Sequence, residues 1–212
     1  MLGQLVKFFI VFFVVVEPLS IVPIFSSLTA GATADYRRRM AIKAVGLAAA
    51  ILLMFALVGK PFLSVMGITV QAFRIFGGLL LFLIALEMVF ARESGSRTSS
   101  DERAESRRRA DISVFPVAFP FIAGPGALAT VLLWFGPVHI LRQPTLFLIL
   151  LAAAAAVLAV SLVLMLLAEP LMRLMGVTGV NVAGRLLGVV LGALAVQFVI
   201  DGLRAAFFVK PG

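Results

Sequence analysis

The 212-residue sequence contains no cysteine and only one histidine, one tryptophan and one tyrosine. Without cysteine the chain forms neither disulfides nor thiolate metal sites. A single histidine, His139, argues against a histidine-based metal site. Charged residues are also scarce, at 13% of the chain. We therefore predict no metal and no cofactor, apart from a coupling proton or sodium ion considered below.

Apolar residues dominate instead, at 62% of the chain with a mean hydropathy of +1.16. A soluble domain of this length could not bury so much apolar surface, and runs of about 20 apolar residues are typical of membrane-spanning helices. We predict an all-α membrane protein with the lipid bilayer as its surroundings. By residue number, the six predicted spans are 5–28, 41–59, 69–90, 113–135, 145–168 and 182–207.

The sequence contains an internal repeat. Lys60–Thr69 and Glu169–Thr178 have proline, methionine, glycine and threonine at corresponding places. Each copy is followed by an arginine and then glycine, Arg74–Gly78 in the first half and Arg185–Gly188 in the second. Three spans in each half would make the halves enter the membrane from opposite sides. We therefore predict two inverted three-helix repeats, an architecture found mostly in transporters.

The halves are joined by a polar segment. Residues 92–111 contain almost no apolar side chain and predict a linker between a first repeat, 1–91, and a second repeat, 112–212. Basic residues concentrate in this linker and in the 29–40 loop, which predicts that both are cytoplasmic and that both termini lie outside. The net charge of +8 is explained by this orientation signal, so we predict no nucleic-acid partner.

Two predicted spans are interrupted by paired prolines, the first at Glu17–Pro23 and the fourth at Pro116–Gly126. Proline removes a backbone donor and clashes with the preceding turn, while glycine adds conformational freedom. One proline can be a purely structural kink, but corresponding breaks in two inverted halves indicate a binding site near the membrane midplane. The candidate substrate-binding residues are Pro18, Ser20, Pro23, Pro120, Gly124, Pro125 and Gly126.

Charged and amide residues within the spans are candidates for ion coupling. Glu17 lies beside the first break, and a buried acid often marks an ion or proton path. Arg74 and Arg185 either extend to the membrane interface, cap carbonyls freed by the broken helix of the other half, or face a substrate carboxylate. Gln197 could supply polar contacts within the sixth span, and Asp201 is predicted to meet the interface.

Three segments resemble the MarC family: Asp111–Ala127, Arg74–Gly78 and Val196–Gly202. The resemblance runs the whole length of the chain and implies a six-span inner-membrane protein with inverted halves. Some members of this family are linked to the transport of small neutral amino acids such as glycine and alanine. The first break of the family usually reads Asp-Pro-x-Gly-Asn-x-Pro. Here Glu17 keeps the acid, but serine and isoleucine at positions 20 and 21 replace glycine and asparagine.

We therefore predict a secondary transporter of small neutral solutes, with amino acids as the expected small-molecule substrates. A channel-like or export route for other solutes and a membrane scaffold without flux are the alternatives. An enzyme is not expected, because no nucleophile with a base, carboxylate pair or metal site is visible. Small side chains at Ala152–Ala156 would permit a homodimer.

Overall fold

The computed structural model describes residues 2–90, 111–138, 140 and 142–207, and these residues form helices and short connections without strands. The predicted linker lies outside the described residues except for Asp111. In chain order the helices are α1 (Leu2–Val16), α2 (Ile21–Leu28), α3 (Ala34–Val65), α4 (Val70–Phe90), α5 (Ser113–Ile122), α6 (Pro125–Phe135), α7 (Pro144–Leu166) and α8 (Ala168–Phe207).

Four helices are long and apolar enough to cross a membrane: α3, α4, α7 and the Val182–Phe207 part of α8. Two further spans arise if each bent pair counts as one, since α1 and α2 meet at 41° and α5 and α6 at 56°. The part of the chain that the structure describes is thus all-helical, with four to six candidate spans. This confirms the predicted class and places both bends within the predicted first and fourth spans.

Short polar or proline-containing sequences set several helix starts. The Thr33 side chain accepts a hydrogen bond from the backbone N–H of Tyr36 at the start of α3, at 3.3 Å. The Thr69 hydroxyl accepts one from the N–H of Ala72 at the start of α4, at 3.1 Å. Such side chains satisfy donors that the first helical turn leaves without partners. Pro144 begins α7, where its missing N–H is tolerated.

Helices α4 and α8 form an extensive antiparallel contact with glycines on both sides. A Cβ atom on Gly78 would lie 2.8 Å from the carbonyl oxygen of Ala195, and one on Gly188 would lie 2.7 Å from Cβ of Met88. Gly202 is equally close to α4, at 2.7 Å from a side-chain carbon. We call Gly78, Gly188 and Gly202 the glycine seam. Small residues of this kind allow membrane helices to approach closely.

The repeated decapeptide has the same backbone feature in both copies. Gly67, just after α3, has a φ of 70°, and Gly176, within α8, has a φ of 63°. These values lie in the left-handed region, which glycine adopts without the steric cost that a side chain imposes. The corresponding glycines therefore end α3 in one half and kink α8 in the other.

Aromatic side chains connect α1, α6 and α7 in the core. The ring of Phe8 lies 5.3 Å from that of Phe12 and 5.4 Å from that of Trp134. Phe135 and Phe147 meet edge to face at 5.2 Å. Burial of these rings holds the first broken helix against the second one.

Candidate functional site

The first break begins at Glu17, immediately before Pro18. Pro18 has no N–H to donate to the carbonyl of Val14, so the hydrogen-bond ladder of α1 stops there. The backbone then forms a turn in which the N–H of Ser20 donates to the carbonyl of Glu17 at 3.0 Å. Glu17 has a φ of 52°, a left-handed conformation unusual for a glutamate, and it is only 3% exposed. The break therefore contains a buried acid on a strained backbone.

The second break has a different backbone. The peptide bonds that precede Pro116 and Pro120 are cis. Hydrogen bonds in α5 span five residues, and the last one joins the N–H of Ala123 to the carbonyl of Ala118 at 2.8 Å. Gly124 then leads into α6, and a Cβ atom there would lie 2.3 Å from the carbonyl oxygen of Pro120. This spacing leaves no room for a side chain at position 124.

The second proline of each predicted motif belongs to the helix after the break. Pro23 lies in the first turn of α2, where it is half-buried, and Pro125 is the first residue of α6. Proline is tolerated in a first turn because the N–H groups there have no partner within the helix. In the first pair the chain leaves helical geometry over Glu17–Ser20. In the second pair it does so at Phe115 and Phe119, whose backbones are extended within α5, and again at Ala123 and Gly124.

The two breaks approach each other through α1 and α6. A Cβ atom on Gly126 would lie 3.2 Å from Val15 and 2.8 Å from Leu81, so α6 begins against the end of α1 and against α4. Ser20 faces α8 instead, with its hydroxyl oxygen 3.9 Å from a Cβ placed on Gly184. Gly126 thus faces α1 and α4 while Ser20 faces α8, and the role of the seven candidate residues in substrate binding stays a prediction.

The two arginines have different surroundings. Arg74 is half-buried and lines a cavity of about 460 Å³ with Lys7, Trp134 and Asp201, among others, and we call this the Arg74 cavity. Arg185 is exposed. Within the described residues, neither arginine donates to a backbone carbonyl.

Gln197 is exposed, and its Nε2 donates to Oδ1 of Asp201 at 2.8 Å. Because Asp201 lines the Arg74 cavity, this contact orients a carboxylate beside it. The sequence predicted only that Asp201 meets the interface. The predicted coupling role of Gln197 is not tested by this contact.

An ion pair that the sequence did not predict attaches the start of α5 to α3. The Lys43 ammonium donates to Oδ2 of Asp111, and Oδ1 accepts from the N–H and the hydroxyl of Ser113 at 2.9 and 2.5 Å. These hydrogen bonds, first that of Lys43 and then those of Ser113, lower the pKa of Asp111 to about 2. An aspartate two residues before a helical serine is a recognisable turn signal, but its partner lies in another helix.

A second unpredicted cluster joins the start of α3 to the start of α8. Glu169 forms an ion pair with Arg37 at 3.0 Å and accepts a hydrogen bond from Arg173 at 2.7 Å. The sequence explained Arg37 as an orientation signal alone. These side chains are partly exposed, so the contact contributes little to stability, but it shows that α3 starts where α7 ends.

Two smaller cavities lie at opposite ends of α3. One, of about 390 Å³, is lined by Lys60 and Pro61 together with residues at the end of α6 and the start of α7. The other, of about 280 Å³, is lined by Glu169 and Pro170 together with residues at the end of α2. Lys60-Pro61 and Glu169-Pro170 are the first residues of the repeated decapeptide. The two copies therefore line cavities at opposite ends of the helix bundle.

Comparison with known proteins identifies relatives along the whole chain. Residues 2–207 match the model of a family described as MarC family integral membrane protein. UPF0056 membrane protein YvbG of Bacillus subtilis is 36% identical over 98% of this chain and 97% of the relative. UPF0056 membrane protein YhcE of Escherichia coli is 35% identical over 95% of this chain and 92% of the relative. No solved structure is significantly similar to the chain.

Proposed function

Because the chain belongs to the MarC family of integral membrane proteins, we propose that it is a secondary transporter of small neutral solutes, including amino acids such as glycine or alanine. The observation that carries this proposal is the pair of broken helices that meet where Val15 contacts Gly126. Interrupted helices in a membrane expose backbone donors and acceptors, and proteins place these where they line a binding site.

The proposed architecture is two inverted three-helix repeats. Contacts between helices support it, because α1 packs against α7 as α5 packs against α3, and α2 packs against α8 as α6 packs against α4. The antiparallel glycine seam joins the third helices of the two proposed repeats to each other. Gly67 and Gly176, with the same left-handed backbone, support the same correspondence. Alternating access would then arise from movement of one repeat against the other.

In this proposal Glu17 binds the coupling proton or sodium ion. Its carboxyl group is buried beside the break, and a buried carboxylate is costly unless a cation or proton accompanies it. The N–H groups at the start of α6, near Gly124 and Gly126, are suited to a substrate carboxylate. Ser20 adds a hydroxyl where the family usually has glycine.

Uptake of radiolabelled glycine and alanine into proteoliposomes, with and without a proton or sodium gradient, tests the proposal. Glu17→Gln removes the ionisable group while keeping the shape, and we expect gradient-driven uptake to fall at least about ten-fold. Asp35→Asn, which removes an exposed acid from the start of α3, is the matched control and should transport normally. Saturable uptake that is unchanged by Glu17→Gln would contradict the coupling role.

Other outcomes separate the alternatives. Flux that does not saturate and shows no counterflow would indicate a channel-like or export route. Absence of uptake of either amino acid by folded, inserted protein would contradict the proposed substrates and favour a different substrate or a scaffold.

We further propose that the protein lies in the inner membrane with both termini outside and the 29–40 loop in the cytoplasm. The absence of cysteine makes this directly testable, because single cysteines can be introduced without background. Gly3→Cys should react with a membrane-impermeant thiol reagent added to intact cells, whereas Asp35→Cys should react only after the cells are opened. The reverse pattern would overturn the topology.

A further inference from the structure

The Arg74 cavity is the largest of the cavities described above, and it opens at the end of the bundle where α1 and α4 begin. Its volume of about 460 Å³ is within the range of small-molecule sites. It is separate from the breaks, since none of the residues from Glu17 to Ser20 or from Ala123 to Gly126 lines it. Its residues come from α1, α4, α6, α7, α8 and the α6–α7 connection, so only the folded chain assembles it.

Two cations and one acid line this cavity. Within the described residues, neither Lys7 nor Arg74 forms an ion pair or a side-chain hydrogen bond. Arg74 is half-buried, so its charge is only partly hydrated. A partly buried cation without a carboxylate partner favours an anionic ligand. Asp201 keeps an acceptor oxygen besides the one that Gln197 occupies.

The remaining walls limit the size and character of the ligand. Trp134, Phe198 and Leu150 supply apolar surface, while Gln4 and Gln143 supply amides. A ligand with a carboxylate, an ammonium group and a small aliphatic body would meet the two cations, the acid and the apolar side chains of the cavity. A simple anion would use the two cations and leave Asp201 as an unfavourable neighbour of the same sign.

We propose that the Arg74 cavity is a docking site for small amino-acid zwitterions, separate from the breaks. Arg74 and Lys7 hold the carboxylate, and Asp201, oriented by Gln197, accepts the ammonium group. In the context of the proposed function, this site collects substrate at the surface before it reaches the breaks. The transport step rests on that function, but binding to the cavity does not.

The single tryptophan of the chain, Trp134, lines this cavity and reports on it directly. Purified full-length protein in detergent is titrated with alanine, propionate and ethylamine, while tryptophan fluorescence is measured. Propionate lacks the ammonium group and ethylamine lacks the carboxylate. We expect a saturable change with alanine, and binding of either analogue at least roughly ten-fold weaker, which corresponds to about 1.4 kcal/mol.

Variants then test the assigned residues. Arg74→Gln and Asp201→Asn should each weaken alanine binding at least roughly ten-fold, because each removes a charge-assisted hydrogen bond. Arg204→Gln removes a charge from the same end of α8 without touching the cavity, and its affinity should match that of the unmodified protein. Gel filtration shows which variants fold, and Lys7→Gln replaces Arg74→Gln if the latter does not.

Two results would overturn the inference. One is an unchanged fluorescence signal when folded, unmodified protein is titrated with alanine. The other is equal binding of alanine and propionate that is insensitive to Asp201→Asn, which would make the cavity a general anion site.

The Glu17→Gln variant separates this inference from the proposed function. If the transporter and the docking site are both correct, this variant loses gradient-driven uptake, but alanine still causes a saturable change in its tryptophan fluorescence. If alanine changes the fluorescence of the unmodified protein but is not taken up, only the proposed transport function is refuted. If alanine is taken up but does not change the fluorescence, only the docking site is refuted.

Discussion

The two broken helices share a proline spacing but differ in chemistry. The break between α1 and α2 contains the buried carboxyl group of Glu17 on a left-handed backbone. The α5–α6 segment, Ser113–Phe135, contains no charged residue and is bent more strongly, by 56° against 41°. Its close contacts are made by main-chain atoms around Gly124.

The proline motif therefore specifies an interruption of the helix but not the chemical groups found there. The first break supplies an ionisable group, and the second supplies a tightly packed backbone. In the proposed function, ion coupling thus belongs to the first proposed repeat and substrate positioning to the second. Substitutions in each break should accordingly have different consequences.

The largest effect is expected for Gly124→Ala. Its added methyl group would lie 2.3 Å from the carbonyl oxygen of Pro120, a backbone atom that cannot turn away. We expect a loss of about 3 kcal/mol or more, measured as a lowered midpoint of thermal unfolding in detergent. Gly46→Ala in α3, where nothing lies within 4 Å of the added group, is the control. Equal unfolding midpoints for Gly124→Ala and Gly46→Ala would show that the second break is not tightly packed.

A smaller effect is expected for Gly126→Ala in the same break. The added methyl group would lie 2.8 Å from the end of the Leu81 side chain and 3.2 Å from Val15. Side chains can shift where backbone cannot, so we expect a cost of about 1–2 kcal/mol in the same unfolding assay. A loss of stability as large as that of Gly124→Ala would mean that contact between the breaks contributes as much to stability as the backbone packing at position 124.

The strain at the first break is tested by comparing Glu17→Asn with Glu17→Gln. Both variants remove the charge, but asparagine tolerates a φ of 52° better than glutamine does. We expect Glu17→Asn to be more stable than Glu17→Gln by about 1 kcal/mol in thermal unfolding. The opposite order would show that side-chain length at this position matters more than backbone conformation.

The smallest effect is expected for the Lys43–Asp111 ion pair, which attaches the start of α5 to α3. The pKa of Asp111 is lowered to about 2, so the pair stabilises the fold above the ordinary aspartate pKa. This stabilisation is lost as the pH falls through about 2. Because both side chains are about half exposed, we expect no more than about 1 kcal/mol.

Thermal unfolding of unmodified protein and of Asp111→Asn, from about pH 6 to about pH 2.5, measures this contribution. The difference between the two midpoints should shrink toward acidic pH. A difference that is independent of pH would show that the Asp111 carboxylate does not stabilise the fold through its charge.

Much of the fold could be predicted from sequence because it depends on local properties. Long apolar runs determine where spans lie, and the missing N–H of Pro18 ends the hydrogen-bond ladder of α1. Sequence reasoning extended the first break to Pro23, although that residue lies within the first turn of α2. The spacing of prolines does not distinguish a residue that ends a helix from one that starts the next.

The parts that sequence did not predict depend on contacts between distant segments. Lys43 and Asp111 are 68 residues apart, and neither residue carries a local signal that identifies the other. The Arg74 cavity likewise unites Lys7 with Asp201, from opposite ends of the chain. Only the packing of α1, α4 and α8 brings these side chains to one place.

The glycine seam has a mechanical consequence. Each glycine of the seam leaves room for one atom of the other helix, so a shift of α4 along α8 would bring that atom against a residue with a larger side chain. Even one added methyl group would force the two helices apart, because a Cβ on Gly78 would lie 2.8 Å from a carbonyl oxygen. The same contact therefore fixes both the separation and the register of α4 and α8.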